Sequence, residues 1–251
     1  MNSRLIAGNW KMHKTTAEAV EFVHRFRQAL EQDVRAEILL MPPFTALDGI
    51  RQILRADDPF KLGAQDLSWE EEGAYTGEIS GRMLKDVGCQ SVIVGHSERR
   101  RLLGETDAHV NKKLKAALQH GLVPILCVGE TLKERQAGHT QDVVKKQMLR
   151  ALVDVPAERI TGLAIAYEPV WAIGTGYAAT VPQIEEVHAF LRTILKRERP
   201  HIADTTRILY GGSVAPENAP ELFGSGEVNG ALVGKACLDP EGFAKICQIA
   251  S

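Results

Sequence analysis

Apolar residues in this chain come in short runs that are hydrophobic on both faces, and the stretches between them turn polar with a helical period. Ile38-Leu39-Leu40 and Val123-Pro124-Ile125-Leu126-Cys127 lack the apolar–polar alternation of a strand with one solvated face, which points to strands buried on both sides in a parallel sheet. Eight such strands are predicted, at residues 5–7, 36–41, 61–64, 91–94, 122–128, 162–167, 207–210 and 230–233. Between them Val20, Val23, Phe26 and Leu30 recur at near-helical spacing, as do Val110, Leu114, Ala117 and Leu118, and Ile184, Val187, Phe190, Leu191 and Ile194.

Eight strand–helix units in 251 residues come to about 31 residues each, the size of a βα repeat, and the total suits a closed (β/α)₈ barrel. The expected fold is therefore α/β, one barrel domain of eight parallel strands spanning residues 1–251. No Pro/Ser/Gly-rich linker, low-complexity run or charge block offers a domain boundary. A doubly wound open sheet is the competing arrangement.

A barrel presents its reactive residues at the C-terminal ends of its strands. Asn9-Trp10-Lys11 follows the first strand, Gly95-His96-Ser97-Glu98 the fourth and Glu168-Pro169 the sixth. Taken alone, Lys11 reads as a surface lysine and His96 equally well as a structural histidine. Glu168 resists such a reading, because it follows the apolar Leu163-Ala164-Ile165-Ala166-Tyr167 and precedes a proline that restricts its backbone. Together they bring a carboxylate, an imidazole and an ammonium to one mouth. Gly211-Gly212-Ser213 and Gly234-Lys235, after the seventh and eighth strands, offer backbone N–H groups to a phosphate, although separate tight turns would account for either cluster alone. Gly174-Thr175-Gly176-Tyr177-Ala178-Ala179 matches a dinucleotide-binding pattern in letters only: no strand directly precedes it, and no acidic residue ends a strand about 20 positions later.

Composition narrows the function classes. Hydrophobic residues at 44% and charged residues at 25% argue against a disordered or fibrous chain. Thirty Lys+Arg against 32 Asp+Glu, a net charge of -2, disfavour nucleic acid or an anionic membrane surface as the main partner. The four cysteines, Cys89, Cys127, Cys237 and Cys247, lack zinc-ligand spacing and are expected as reduced thiols, with no metal bound. No apolar stretch reaches the ~20 residues of a membrane span, and the N-terminal apolar run is too short for a signal peptide, so a cytoplasmic location is expected.

The segments Gly8-Asn9-Trp10-Lys11-Met12, Gly77-Glu78-Ile79-Ser80, Val94-Gly95-His96-Ser97-Glu98-Arg99-Arg100, Cys127-Val128-Gly129-Glu130, Ala166-Tyr167-Glu168-Pro169-Val170-Trp171-Ala172-Ile173-Gly174-Thr175-Gly176, Tyr210-Gly211-Gly212-Ser213-Val214 and Leu232-Val233-Gly234 resemble the triosephosphate isomerase family, along nearly the whole chain. The resemblance implies interconversion of dihydroxyacetone phosphate and D-glyceraldehyde 3-phosphate through an enediolate, with no metal or organic cofactor. It implies Glu168 as general base, its basicity raised when a lid closes over it. His96 would be a neutral electrophile, its pKa held low by the helix N-terminus after Gly95. Lys11 would supply positive charge near the developing oxyanion and phosphate, with Asn9 orienting the polar groups and Glu98 as a nearby charged partner. Residues 169–176 resemble the lid, with Val170, Trp171, Ala172 and Ile173 as its apolar tip. The phosphate would be held by the Gly174 N–H, Ser213 and the backbone of Gly234 and Lys235.

Two positions depart from the family pattern: Lys235 stands where a second glycine is usual, and Asp66 where asparagine is usual. Residues 65–78 are long for a barrel loop and carry Trp69, Tyr75 and Thr76, odd at a solvated tip. In the family this loop enters a neighbouring subunit, so a homodimer is expected; a loop packed on its own barrel is the alternative. Two other functions share these features. A Schiff-base aldolase would use Lys11 or Lys235. A non-catalytic phosphate-binding barrel would not need base, electrophile and lid together.

Overall fold

Strands that are apolar on both faces leave no solvated side to a sheet, and closure with an outer ring of helices satisfies all of them. In the computed structural model, which describes residues 3–31, 33–160, 162–173 and 178–251, the strands pair in sequence order, parallel, and close into a barrel. They are β1 Leu5–Asn9, β2 Glu37–Met41, β3 Phe60–Ala64, β4 Ser91–Val94, β5 Val123–Val128, β6 Ala164–Tyr167, β7 Arg207–Tyr210 and β8 Gly230–Val233. The closure excludes the doubly wound alternative.

The helices are α1 Thr16–Ala29, α2 Phe44–Arg51, α3 Gly81–Asp86, α4 Ser97–Leu103, α5 Asp107–Gln119, α6 Leu132–Gln136, α7 Thr140–Ala151, α8 Val181–Glu198, α9 Pro200–Ala203, α10 Ala219–Gly224 and α11 Pro240–Ile249. The crossovers after β4, β5 and β6 each hold two helices rather than the one expected. Left-handed Gly104 (φ 69°) stops α4, left-handed Gly138 (φ 75°) lies just past α6, and Pro200 follows the end of α8. Strand edges also shift. Gly162, at φ 75°, cannot extend β6, while β1 runs on to Asn9 instead of ending at Ala7. In α1 the buried stripe is Ala19, Phe22, Val23 and Phe26; Val20 and Leu30 are only half-buried.

Alternation along the strands divides the interior into two layers. Leu5, Ala7, Leu39, Met41, Ile93, Ile125, Cys127, Ala164, Ala166, Leu209 and Leu232 fill the lumen. Ile6, Ile38, Leu40, Val92, Ile165 and Ile208 pack outward under the helices. There Phe26 stacks near Phe22, Phe60 and Phe243 at centroid distances of 5.3–5.7 Å, each such buried ring contributing roughly 1.5–3 kcal/mol relative to its exposure to water. All four cysteines are buried free thiols. Among the described residues no helix is long and apolar enough to cross a membrane.

Candidate active site

The period of two that fills the lumen also selects what emerges at its C-terminal mouth. Continuing Leu5, Ala7 on β1 gives Asn9; continuing Ala164, Ala166 on β6 gives Glu168; and Cys127, Leu209 and Leu232 are each followed two positions on by a glycine, Gly129, Gly211 and Gly234. The first two of these glycines make room for Glu168. A Cβ on Gly129 would lie 1.7 Å from the Glu168 carbonyl oxygen, and one on Gly211 would lie 2.8 Å from its Cγ.

Glu168 is 2% exposed. Its Oε2 accepts the Ser97 N–H at 2.9 Å and its Oε1 lies 3.0 Å from His96 Nε2. The Cys127 thiol, from the lumen below, lies near this carboxylate. His96 caps the N-terminus of α4, with the Glu98 N–H donating to its Nδ1 at 3.2 Å. A ring that accepts on Nδ1 carries its neutral-state proton on Nε2, aimed at Glu168.

Burial alone would push the Glu168 carboxyl up, but His96 beside it, the Ser97 N–H and the Cys127 thiol hold it below the usual carboxylate range. Burial likewise opposes a charged His96 ring, yet the Glu168 carboxylate outweighs it and carries the imidazole above its ordinary pKa. This corrects the expectation of a lowered His96. The helix N-terminus is where expected, but one N–H dipole does not offset a full carboxylate at 3.0 Å.

At the β1 end, Asn9 is buried and its Oδ1 accepts the Lys11 N–H at 3.0 Å. Lys11 itself is held in the left-handed region at φ 54°, a conformation costing roughly 1–3 kcal/mol outside glycine. Gln65 secures that turn by donating from Nε2 to both the Lys11 and Met41 carbonyls at 2.9 Å. The result places Lys11 Nζ 2.5 Å from Glu98 Oε1.

These groups line one cavity of about 490 Å³, a size that suits a small molecule. Asn9, Lys11, His96, Glu168, Ser213, Gly234 and Lys235 all reach it; Gly174 lies outside the described residues. The backbone N–H groups of Gly212, Gly234 and Lys235 have no partner among the described residues, while that of Gly211 is taken by the Tyr167 carbonyl at 2.8 Å. Backbone donors without a partner among the described residues, with Lys11 close to Gly234, suit the β7–β8 side of the cavity to an anion.

Val170, Ala172 and Ile173 also line the cavity, but Trp171 does not behave as part of that apolar tip. Its Nε1 donates to Glu130 Oε1 at 2.9 Å, and the same oxygen accepts from Tyr167 OH at 3.1 Å and Arg135 at 3.2 Å. Sequence reasoning passed over Glu130 although it is fully buried. An acidic residue ending an apolar strand was the signal, the same signal that singled out Glu168. Arg101 and Cys127 carried no such mark.

One of the two departures is answered by its neighbours. Asp66 is buried in an ion cluster, accepting from Lys113 Nζ at 2.6 and 2.8 Å and lying 2.9 Å from Arg99; Glu105 joins both cations. Its negative charge is thus balanced at the root of the long loop. Trp69, expected against a neighbouring subunit, stacks on His109 of its own barrel at 5.3 Å, whereas Tyr75 and Thr76 are exposed. Among the described residues no group of three or more His, Cys, Asp or Glu side chains is placed to hold a metal ion.

Comparison with known proteins agrees with this geometry. A family model described as triosephosphate isomerase matches residues 4–250. Relatives named triosephosphate isomerase include that of Moorella thermoacetica, 52% identical over 246 residues (98% of each chain), and that of Aquifex aeolicus, 51% identical over 243 residues (97% of this chain, 98% of the other). The crystal structure of triosephosphate isomerase from Bartonella henselae matches with a TM-score of 0.88 at 40% identity, over 98% of both chains. A carboxylate, an imidazole and an ammonium at the mouth of a closed parallel barrel, and a family match from one end of that barrel to the other, lead to one statement: the chain belongs to the triosephosphate isomerase family.

Proposed function

We propose that this cavity interconverts dihydroxyacetone phosphate and D-glyceraldehyde 3-phosphate, with Glu168 moving the proton. The observation that carries the assignment is the 3.0 Å contact between the Glu168 carboxylate and His96 Nε2. A base and a hydrogen-bond donor thus meet at the cavity wall where the two reacting carbons and their oxygens would bind. Substrate entering between them separates the pair. Glu168 then loses stabilising donors and becomes more basic, and His96, freed of its carboxylate neighbour, returns to the neutral state in which Nε2–H polarises the carbonyl. The carboxylate takes a proton from the carbon beside that carbonyl, a hydroxyl proton passes between the two enediolate oxygens beside His96, and Glu168 returns the carbon-bound proton to the former carbonyl carbon. The negative charge that develops on oxygen lies between His96 and Lys11.

The phosphate belongs at the N–H groups of Gly212, Gly234 and Lys235, with Ser213 beside them, and Asn9 orients the polar groups near Lys11. Val170, Ala172 and Ile173 supply the apolar cover that keeps water from the enediolate. A Schiff base on Lys11 is disfavoured, because the amine is engaged by Glu98 Oε1 at 2.5 Å and would have to leave that contact to attack a carbonyl.

A homodimer and a reducing, cytoplasmic setting complete the proposal. Met12 (93% exposed), Leu102 (67%) and Leu103 (64%), with Phe44, Tyr75 and Met83, are large apolar side chains left open to solvent. They lie on or near the loops that follow β1 to β4, beside the exposed residues 71–78, and a second copy would cover them. Four buried free thiols favour the reducing compartment. In an isomerase assay coupled to a dehydrogenase, Glu168→Gln and His96→Gln should each lower turnover by about 10²–10⁴-fold while the fold persists. Wild-type protein inert toward both triose phosphates, or Glu168→Gln retaining full turnover, overturns the proposal.

A further inference from the structure

We infer that the Lys235 side chain is a second cation for the substrate phosphate, one that glycine at this position could not supply. The inference rests on the proposed function and refines its anion end. Lys235 opens the short 3-10 turn Lys235–Leu238 directly after Gly234, so its backbone sits among the N–H groups that face the β7–β8 side of the cavity. The residue is exposed and lines this cavity as well as the neighbouring one beside Glu18 and Asp239, and its ammonium has no hydrogen-bond or ion-pair partner among the described residues.

Lys11 cannot fill that role alone. Its ammonium approaches the same loop, 4.0 Å from where a Cβ on Gly234 would lie, but it is already bound to Glu98 at 2.5 Å. A phosphate dianion beside Gly234 would therefore meet one half-neutralised cation and three backbone dipoles. Arg101 is the other exposed cation at the rim, yet it belongs to α4, next to Glu98 on the His96 side. Among the described residues lining the cavity, Lys235 combines a charge without a partner, a flexible four-carbon reach and an attachment point inside the phosphate loop. Its charge stays solvent-exposed until the phosphate arrives, so it strengthens binding by a modest factor and responds to salt.

The test separates side chain from backbone. Lys235→Ala and Lys235→Met keep the N–H and remove the charge, and Lys235→Arg restores the charge. Binding of inorganic phosphate to each folded variant, measured by titration calorimetry, should weaken about three- to ten-fold in Ala and Met, as expected for one screened cation, and recover in Arg. The loss in kcat/KM should appear in KM, and the gap between wild type and Lys235→Ala should close as ionic strength rises. Unchanged phosphate affinity and KM in both Ala and Met overturn the inference. So does a fall confined to kcat, which would mean that residue 235 acts by shaping its loop. The phosphate titration needs no turnover, so it decides the role of Lys235 even if the proposed reaction fails, and the coupled assay on wild type reports that failure separately.

Discussion

Replacing Gly129 by alanine tests whether the position of Glu168 is set by the collar of glycines around it. The added Cβ would lie 1.7 Å from the Glu168 carbonyl oxygen and 2.7 Å from its carbonyl carbon, and contacts under 3.0 Å are essentially never seen. Opening the first contact from 1.7 to 3.0 Å moves one strand end by about 1.3 Å. Gly129 cannot easily be the one to yield. Gln147 on α7 accepts its N–H at 2.8 Å and donates to its carbonyl at 3.2 Å. The backbone of Glu168 must give way, carrying the carboxylate with it. Misplacing a reacting group by about 1 Å costs on the order of 10²-fold in rate, or about 2.7 kcal/mol of barrier. Gly224→Ala is the control, since nothing lies within 4 Å of its added Cβ. Turnover in the coupled assay, with circular dichroism and thermal melting to show that each variant folds, gives the answer. A folded Gly129→Ala enzyme with wild-type turnover would refute the claim that this collar positions the base.

Other outcomes follow from buried groups and open surfaces. His188 is fully buried, shares a 3.1 Å hydrogen bond with the Glu227 carbonyl, and has its pKa pushed down to about 4 from an ordinary 6.5, burial being the main cause. Between those values the unfolded chain binds a proton that the folded chain refuses, so stability falls as pH drops through this window, by about 2 kcal/mol between pH 7 and pH 5. Urea unfolding at the two pH values should show that loss reduced by this amount in His188→Asn; an identical loss in wild type and variant would contradict it. For the dimer, sedimentation velocity should give two copies for wild type at micromolar concentration, and Leu102→Glu with Leu103→Glu should give one copy with lower activity. A wild-type monomer would refute the interface.

The barrel was legible because strands buried on both faces leave an unbroken apolar record, as Ile38-Leu39-Leu40 does, and regular spacing supplied the count. Asn9 and Glu168 were legible for a related reason: a polar side chain ending an apolar strand has to be answered by chemistry at the mouth. Lys11 and Glu98 were each visible, but not their pairing, which depends on a left-handed backbone at Lys11 that no propensity favours. The network on Glu130 joins Tyr167, Arg135 and Trp171 across 41 positions, and such distant convergence leaves no periodic trace. Lys113 is 3% exposed and paired with Asp66 and Glu105, whereas on a helix a lysine reads as solvated. The raised His96 pKa was missed because sequence named the helix dipole but could not give the 3.0 Å to Glu168.

The central claim is that Glu168 itself carries the proton between two carbons. A carboxyl group that takes up a substrate proton exchanges it with solvent while the enediolate survives. Isomerisation of dihydroxyacetone phosphate in heavy water should therefore yield D-glyceraldehyde 3-phosphate with deuterium at the carbon next to its carbonyl, seen by proton NMR. In Glu168→Gln the appearance of that deuterated product should slow together with isomerisation, by the same factor. Product free of deuterium, or a Glu168→Gln variant that still incorporates it at the wild-type rate, would contradict the account.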